Sequence, residues 1–302
     1  MSITTINGII NEDKLGKTYI HEHLKIDLSS QKKDLDTKFD DVDAVIEEMK
    51  ILKSKGVDTI VEVTNRGMGR DIQVMKRVAE ETGINVIAST GFYKEPFLPQ
   101  YVYEMEEKEL SKLLIKDIVE GIDDTNIKAH LIGEIGTSKN IMTPMEQKVF
   151  KISAIAHLET DRPVYTHTTL GTYGLEQLKY LKGYGVDLEK VAIGHLDLNC
   201  DLDYHLRVAD TGCFLAFDTI GKIKYQADEK RTEHIKKLIN RGHLDQIVLS
   251  EDITRKSHLE INGGIGYGYL VDNFVPMLLK VGITKEQIDR MMIYNPIKLL
   301  DA

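Results

Sequence analysis

Eight short apolar, β-branched runs recur along this 302-residue chain, with helix-like stretches between them. The runs cover residues 18–23, 57–63, 84–90, 129–135, 163–166, 191–195, 213–217 and 246–250. Residues 41–55 show the helical character of the intervals, with Val42, Val45, Ile46, Met49 and Leu52 on one face. Residues 145–160 follow Thr143 and Pro144, a pair suited to N-cap and first helical position. Residues 175–184, 202–210, 229–241, 267–281 and 285–292 read the same way, and Gly56, Gly83, Gly242 and Gly282 supply helix stops. Strands alternating with helices predict a parallel sheet. Eight such units in a chain of this length predict an α/β fold of (β/α)8 TIM-barrel type, one domain spanning residues 1–302. A doubly wound open sheet is the alternative, but it usually carries a glycine-rich turn after its first strand. Here the first run ends in His-Glu-His.

Bulk composition narrows the function. Hydrophobic residues make up 42% and charged residues 29%, ordinary values for a globular protein. A net charge of −9 argues against a nucleic-acid partner held by its phosphates. Two cysteines, Cys200 and Cys213, cannot make a disulfide framework, and neither sits in a CxxC or nucleophile motif. The first residues lack the basic start and apolar core of a signal peptide, and no apolar run approaches the roughly 20 residues of a membrane span. The expectation is a cytoplasmic protein that works on a small molecule, without membrane contact, with a homodimer as the default assembly.

Metal-ligating residue types sit at the ends of the runs. His21 and His23 are two apart in the first run, and residues two apart in a strand face the same side. Glu134 lies inside the otherwise apolar LIGEIG of 131–136, where a carboxylate is costly unless paired or metal-bound. His167 and His195 each follow an apolar run and suit one shared metal. Glu251 and Asp252 close the last run and point to opposite faces, so one of them enters the site; spacing does not choose between them. A lone buried histidine is more often a satisfied core residue than a ligand. Several at strand ends are different, because those ends build barrel active sites. Imidazole and carboxylate donors suit zinc first, with manganese, cobalt or nickel as alternatives.

Other motifs are absent or weak. His157, His205 and His234 fall inside helical patterns and read as core or surface residues. There is no P-loop and no G-x-S-x-G elbow. The glycine-rich GGIGYG of 263–268 does not follow a strand in a βαβ unit and reads as a loop.

The motifs IHEHL (20–24), GEIGT (133–137), YTHT (165–168), GHLD (194–197), FDTIG (217–221), SEDITRK (250–256), GGIGY (263–267) and Asn295-Pro296 together resemble the phosphotriesterase family of the amidohydrolase superfamily. The likeness covers essentially the whole chain and is nearest to the phosphotriesterase homology protein subgroup. It implies a metal-dependent hydrolase with two divalent metal ions. His21, His23 and Asp252 would hold the more buried metal, His167 and His195 the more exposed one, and Glu134 with a hydroxide would bridge them. The resemblance also selects Asp252 over Glu251 and makes it the catalytic proton acceptor as hydroxide attacks. In many family members a carboxylated lysine bridges the metals. Glu134 at the matching position reaches less far, so the backbone beneath it or the metal spacing must adjust.

An ester or lactone carbonyl is the first expected target, and a phosphoester or phosphotriester the alternative. A non-catalytic metal-binding barrel has no need of six converging ligands. Tyr93, just after the third run, is placed to polarise a carbonyl oxygen. Arg255 and Lys256, just after the last run, are placed to bind an anionic substrate group, and His258 to line the mouth.

Overall fold

The computed structural model describes residues 2–301. Its central sheet has eight parallel strands, and each pairs with its neighbours in chain order. They are Lys17–Glu22, Val57–Glu62, Asn85–Thr90, Leu131–Thr137, Val164–Thr168, Val191–Gly194, Phe214–Phe217 and Ile247–Leu249, called barrel strands 1 to 8 here. Helices separate consecutive strands, among them Val42–Ser54, Ile72–Thr82, Glu107–Val119, Pro144–Thr160, Gly174–Gly183, Leu202–Ala209 and Asp228–Asn240. This is the nearly closed (β/α)8 barrel that the alternation predicts. Thr143 and Glu146 form a capping box at the start of Pro144–Thr160, with Pro144 in the first turn. The C-terminal stretch is more broken than its periodicity suggests. It runs as Leu270–Phe274, Val275–Lys280, Lys285–Asp289, Arg290–Tyr294 and Asn295–Leu300.

Two apolar clusters divide the molecule along the strand alternation. Ile20, Val61, Ile87, Leu131, Tyr165, Phe214, Ala216 and Val248 point inward and fill the barrel. Tyr19, Ile60, Val86, Ile132, Val164, Ile193, Leu215 and Leu249 point outward under the helices. The inner plug continues downward through Ile3 and Leu15, which belong to the N-terminal segment that begins with a hairpin, Ser2–Thr5 paired with Gly8–Asn11. That hairpin has no counterpart in the sequence reading, since four-residue strands carry too little periodicity to register.

Barrel strands 1 and 8 share no ladder; a side-chain clasp joins them. Glu22 Oε1 accepts from Ser250 Oγ at 2.8 Å and from the backbone N–H groups of Glu251 at 2.7 Å and Asp252 at 3.2 Å. Its Oε2 accepts from Ile253 N at 3.0 Å, and Ser250 Oγ in turn accepts from His21 N at 3.1 Å. Far below, His130 ties the two chain ends together. Its Nδ1 accepts from Thr4 N at 3.2 Å and its Nε2 donates to Leu300 O at 2.9 Å.

Candidate metal centre

The carboxyl-terminal mouth of the barrel is where strand alternation stops being regular, and each irregularity delivers a polar residue. Ile20 already faces the barrel interior, so strict alternation would send His21 outward. The pairing of strand 1 with strand 2 shifts between Tyr19 and Glu22, which resets the phase. His21 and His23 then face the interior and Glu22 faces the seam. Strand 4 repeats the device. Its register against strand 5 shifts between Ile132 and Ile135, on either side of Glu134. Gly133 makes this possible. Its φ is +151°, and a Cβ there would sit 2.4 Å from the carbonyl oxygen of Tyr165. Asn65 Nδ2 fixes the result by donating to Glu134 O at 2.6 Å. The backbone under Glu134 is therefore irregular, and Asn65 holds it in place.

Strands 6 and 8 end with His195 and Asp252 in left-handed conformations, at φ +59° and +55°. Val248, Ser250 and Asp252 continue the inward-facing phase of strand 8, while Glu251 turns outward, where it accepts from the backbone of Leu270. The structure thus separates the two carboxylates that spacing left undecided.

All six predicted ligand residues converge. The cluster of His21, His23 and Asp252 has Nε2 of each histidine within 3.4 and 3.3 Å of Asp252 Oδ1. A second cluster joins Glu134, His167 and His195, with Glu134 Oε2 at 3.2 Å from His167 Nδ1 and 3.6 Å from His195 Nε2. Glu134 stands between the clusters, because its carboxylate also lies 3.7 Å from His21 Nε2 and 3.6 Å from His23 Nε2. Behind them, Asp218 lies 3.2 Å from His21 Nδ1 and 2.9 Å from His195 Nδ1, and accepts from Tyr165 Oη at 2.6 Å. Thr64 Oγ1 meets His23 Nδ1 at 2.7 Å.

These residues fit a pair of divalent cations. Nε2 of His21 and of His23 are buried without a hydrogen-bond partner among the described residues, and each faces carboxylate oxygens. Three buried carboxylates, Glu134, Asp218 and Asp252, crowd among these histidines, and the one lysine ammonium ion-paired with any of them is that of Lys222, on Asp252. Such charge is stable only with further cationic partners. The local electrostatics show the same demand. Burial alone would lower the basicity of His21, yet Glu134, Asp218 and Asp252 hold it up at about 10. Burial would raise Asp252, but the Lys222 ammonium and the His21 and His23 rings keep its carboxyl well below the usual carboxylate range. His167 goes the other way: burial and the neighbouring His195 lower it to about 4, so it stays neutral and able to ligate.

A cavity of about 360 Å³ opens above the clusters, lined by His23, Glu134, His167, His195 and Asp252. Tyr93 borders it with its hydroxyl 3.2 Å from both ring nitrogens of His167. His258 and Arg255 line it too. Arg255 is bound to Asp34 at 2.6 Å and Asp36 at 3.4 Å, and Lys256 stands apart from the cavity, 2.8 Å from Asp40. Sequence reasoning gave no role to Asp218, Lys222, Lys32 or Lys94. Asp218 carried a usable signal, a carboxylate directly after the apolar run 213–217. Lys222, Lys32 and Lys94 carried none, because loop lysines are ordinarily solvated.

Residues 1–300 match the model of the Phosphotriesterase family. The chain belongs to that family. It is 46% identical to phosphotriesterase homology protein from Escherichia coli, whose crystal structure, complexed with phosphate in its active site, superposes with a TM-score of 0.94 over 96% of this chain and 100% of that one. It is 32% identical to N-acetyltaurine hydrolase of Dictyostelium discoideum over 99% of this chain and 97% of the relative. The lactonase Lmo2620 from Listeria monocytogenes shares 29% identity, a TM-score of 0.95, and coverage of 99% of both chains. Family membership carries the metal-dependent hydrolase fold and the binuclear character of the centre. No helix among the described residues is long and apolar enough to cross a membrane.

Proposed function

We propose that this member of the family hydrolyses a small carboxylic ester or lactone at a two-metal centre. His21, His23 and Asp252 would hold one ion, His167 and His195 the other, and Glu134 would bridge them. The convergence of the two clusters on one carboxylate beneath an open cavity is the observation that carries this reading. When bound, the two ions supply Lewis acidity to a substrate oxygen and bring the pKa of water from about 15.7 toward 7.

The chain's own residues do the rest. Asp252 is ionised, reaches the cavity, and takes the proton of the attacking water before returning it to the leaving group. Lys222, ion-paired with Asp252, fixes the direction of that carboxylate. Tyr93 stays protonated, because burial and Glu134 push its phenol well above 10, so its hydroxyl is a donor for the substrate oxygen. Asp218 is hydrogen-bonded to His195 Nδ1 and stands 3.2 Å from His21 Nδ1, which leaves the Nε2 atoms of both rings facing the cluster.

Relatives named for N-acetyltaurine hydrolysis support a second reading, cleavage of an amide by the same groups. Phosphotriesters are the third substrate class, supported by organophosphorus hydrolases of the same fold, such as that from Deinococcus radiodurans at 29% identity. The test is turnover of neutral lactones, carboxylic esters, N-acyl amines and phosphotriesters by zinc- or manganese-reconstituted protein beside its Asp252→Asn variant. Turnover of esters or lactones, lost in the variant, supports the first reading. Exclusive turnover of another class replaces it.

A further inference from the structure

The cavity carries a cationic feature that the metal clusters do not use. Four permanently basic side chains line it: Lys32, Lys94, Lys222 and Arg255. Two are engaged by carboxylates, Lys222 by Asp252 and Arg255 by Asp34 and Asp36. The other two have no carboxylate within ion-pairing distance among the described residues. Lys32 closes the short helix Ser29–Lys32 in the connection after barrel strand 1, and Lys94 lies in the loop after strand 3. They meet over one aromatic ring. Lys32 Nζ lies 6.0 Å from the centroid of Phe97, and Lys94 Nζ lies 5.6 Å from the same ring and 5.6 Å from that of Tyr93. Among the described residues, the one hydrogen bond of Lys94 Nζ goes to the carbonyl of Glu95 at 3.2 Å.

We propose that Lys32 and Lys94 form an anion subsite over Phe97, and that the natural substrate is a short acyl compound ending in a sulfonate, phosphate or carboxylate group. Lys94 is half-buried and Lys32 is exposed at the cavity rim, and neither has a carboxylate counter-charge among the described residues, so both gain by meeting an anion held between them. Burial lowers the basicity of both lysines, consistent with that unmet demand. Tyr93 fixes the placement. Its ring touches Lys94 on one side and packs edge-on against His167 on the other, with centroids 4.8 Å apart. The anionic end therefore lies about one phenol ring away from the metal cluster, and a linker of a few atoms over Phe97 leaves the acyl carbon at the ligands. Arg255 and Lys256, the cations singled out in the sequence, are already neutralised by Asp34, Asp36 and Asp40.

The inference rests on the hydrolase reading for its substrate but not for its test. Ethanesulfonate, methylphosphonate and propionate are titrated calorimetrically into the metal-loaded protein, beside the neutral ethyl methyl sulfone. Wild type, Lys32→Met, Lys94→Met and the double variant are compared, with Lys298→Met as a surface control and melting temperature as the check on folding. Methionine keeps the apolar stem and removes the charge. The expected result is anion binding that weakens about tenfold or more in the double variant, less in each single variant, and not in the control. The order of the three anions identifies the tail. Metal-loaded protein is then assayed on matched anionic and neutral esters and amides, and the anionic-to-neutral ratio of kcat/KM falls by a similar factor in the double variant. Unchanged anion affinity in the double variant, or equal affinity of wild type for the sulfone and the sulfonate, overturns the subsite. Lysine-dependent anion binding without turnover of any ester, lactone or amide upholds the subsite and overturns the hydrolase reading instead.

Discussion

One oxygen of Asp218 accepts twice from the same residue, taking the backbone N–H of His195 at 2.8 Å and its ring Nδ1–H at 2.9 Å. The double contact sets both the left-handed backbone of His195 and its tautomer, so Nε2 carries the lone pair toward the cluster. The other oxygen holds Tyr165 and stands beside His21. Asp218 thus orients one ring from each cluster. Asp218→Ala should weaken metal binding about 10- to 100-fold while leaving all six direct donors in the chain. Competition with a chromophoric chelator measures this, and wild-type affinity in the variant would remove Asp218 from the support of the centre.

Asp252→Asn keeps an oxygen donor and loses the base. Turnover should fall by about 10²- to 10⁴-fold with two metals per chain retained. Metal analysis beside steady-state rates separates this outcome from loss of the centre.

Lys222 tunes that base. Its ammonium is the nearest positive charge holding the Asp252 carboxylate in its ionised form. Removing it in Lys222→Met raises the pH at which Asp252 takes up a proton. The acid limb of the kcat/KM profile should then move to higher pH, so the variant loses activity at mildly acidic pH where the wild type retains it. A uniform drop with the limb unmoved would assign Lys222 to substrate contact alone.

His130 is neutral in the fold. Burial, and then the charge of Arg162, lower it to about 4 from the ordinary 6.5. The unfolded chain binds a proton at this site below pH 6.5 and the folded chain does not. The stability contributed by neutral His130 is therefore full above pH 6.5 and is lost as pH falls toward 4, on the order of 3 kcal/mol in all. Thermal melts from pH 7 to 4 should show this decline, and His130→Gln should flatten it.

Glu22→Gln places an amide where a carboxylate accepts four hydrogen bonds. At least one of those donors meets an N–H₂ group instead, at a cost of about 1–3 kcal/mol. Denaturant unfolding measures the loss, and a variant as stable as wild type would show that the clasp is dispensable.

The barrel and its six converging side chains were legible because two periodicities, apolar runs and the helices between them, carry most of the fold. What was not legible depends on departures from those periodicities. Nothing in the letters of residues 131–137 marks the shift that turns both Gly133 and Glu134 inward, since only the approach of Gly133 to Tyr165 O reveals it. The choice of Asp252 over Glu251 follows from the phase set by Val248 and Ser250, a phase that a three-residue strand states too briefly. Arg255 looked available as an anion binder because Asp34 and Asp36 lie more than two hundred positions away in sequence. Lys32 and Lys94 are the converse case: neither has a carboxylate within ion-pairing distance among the described residues, a property of space and not of sequence.

The unladdered seam ties the centre to the closing of the barrel. His21 belongs to the first strand and Asp252 lies just past the last, and the Glu22 clasp is what brings their backbones together. A chain that ends after its seventh strand contains five of the six donors, yet the cluster of His21 and His23 still lacks its carboxylate. The His21, His23 and Asp252 cluster is therefore a product of closure: it exists only where the first and last strands of the barrel have met.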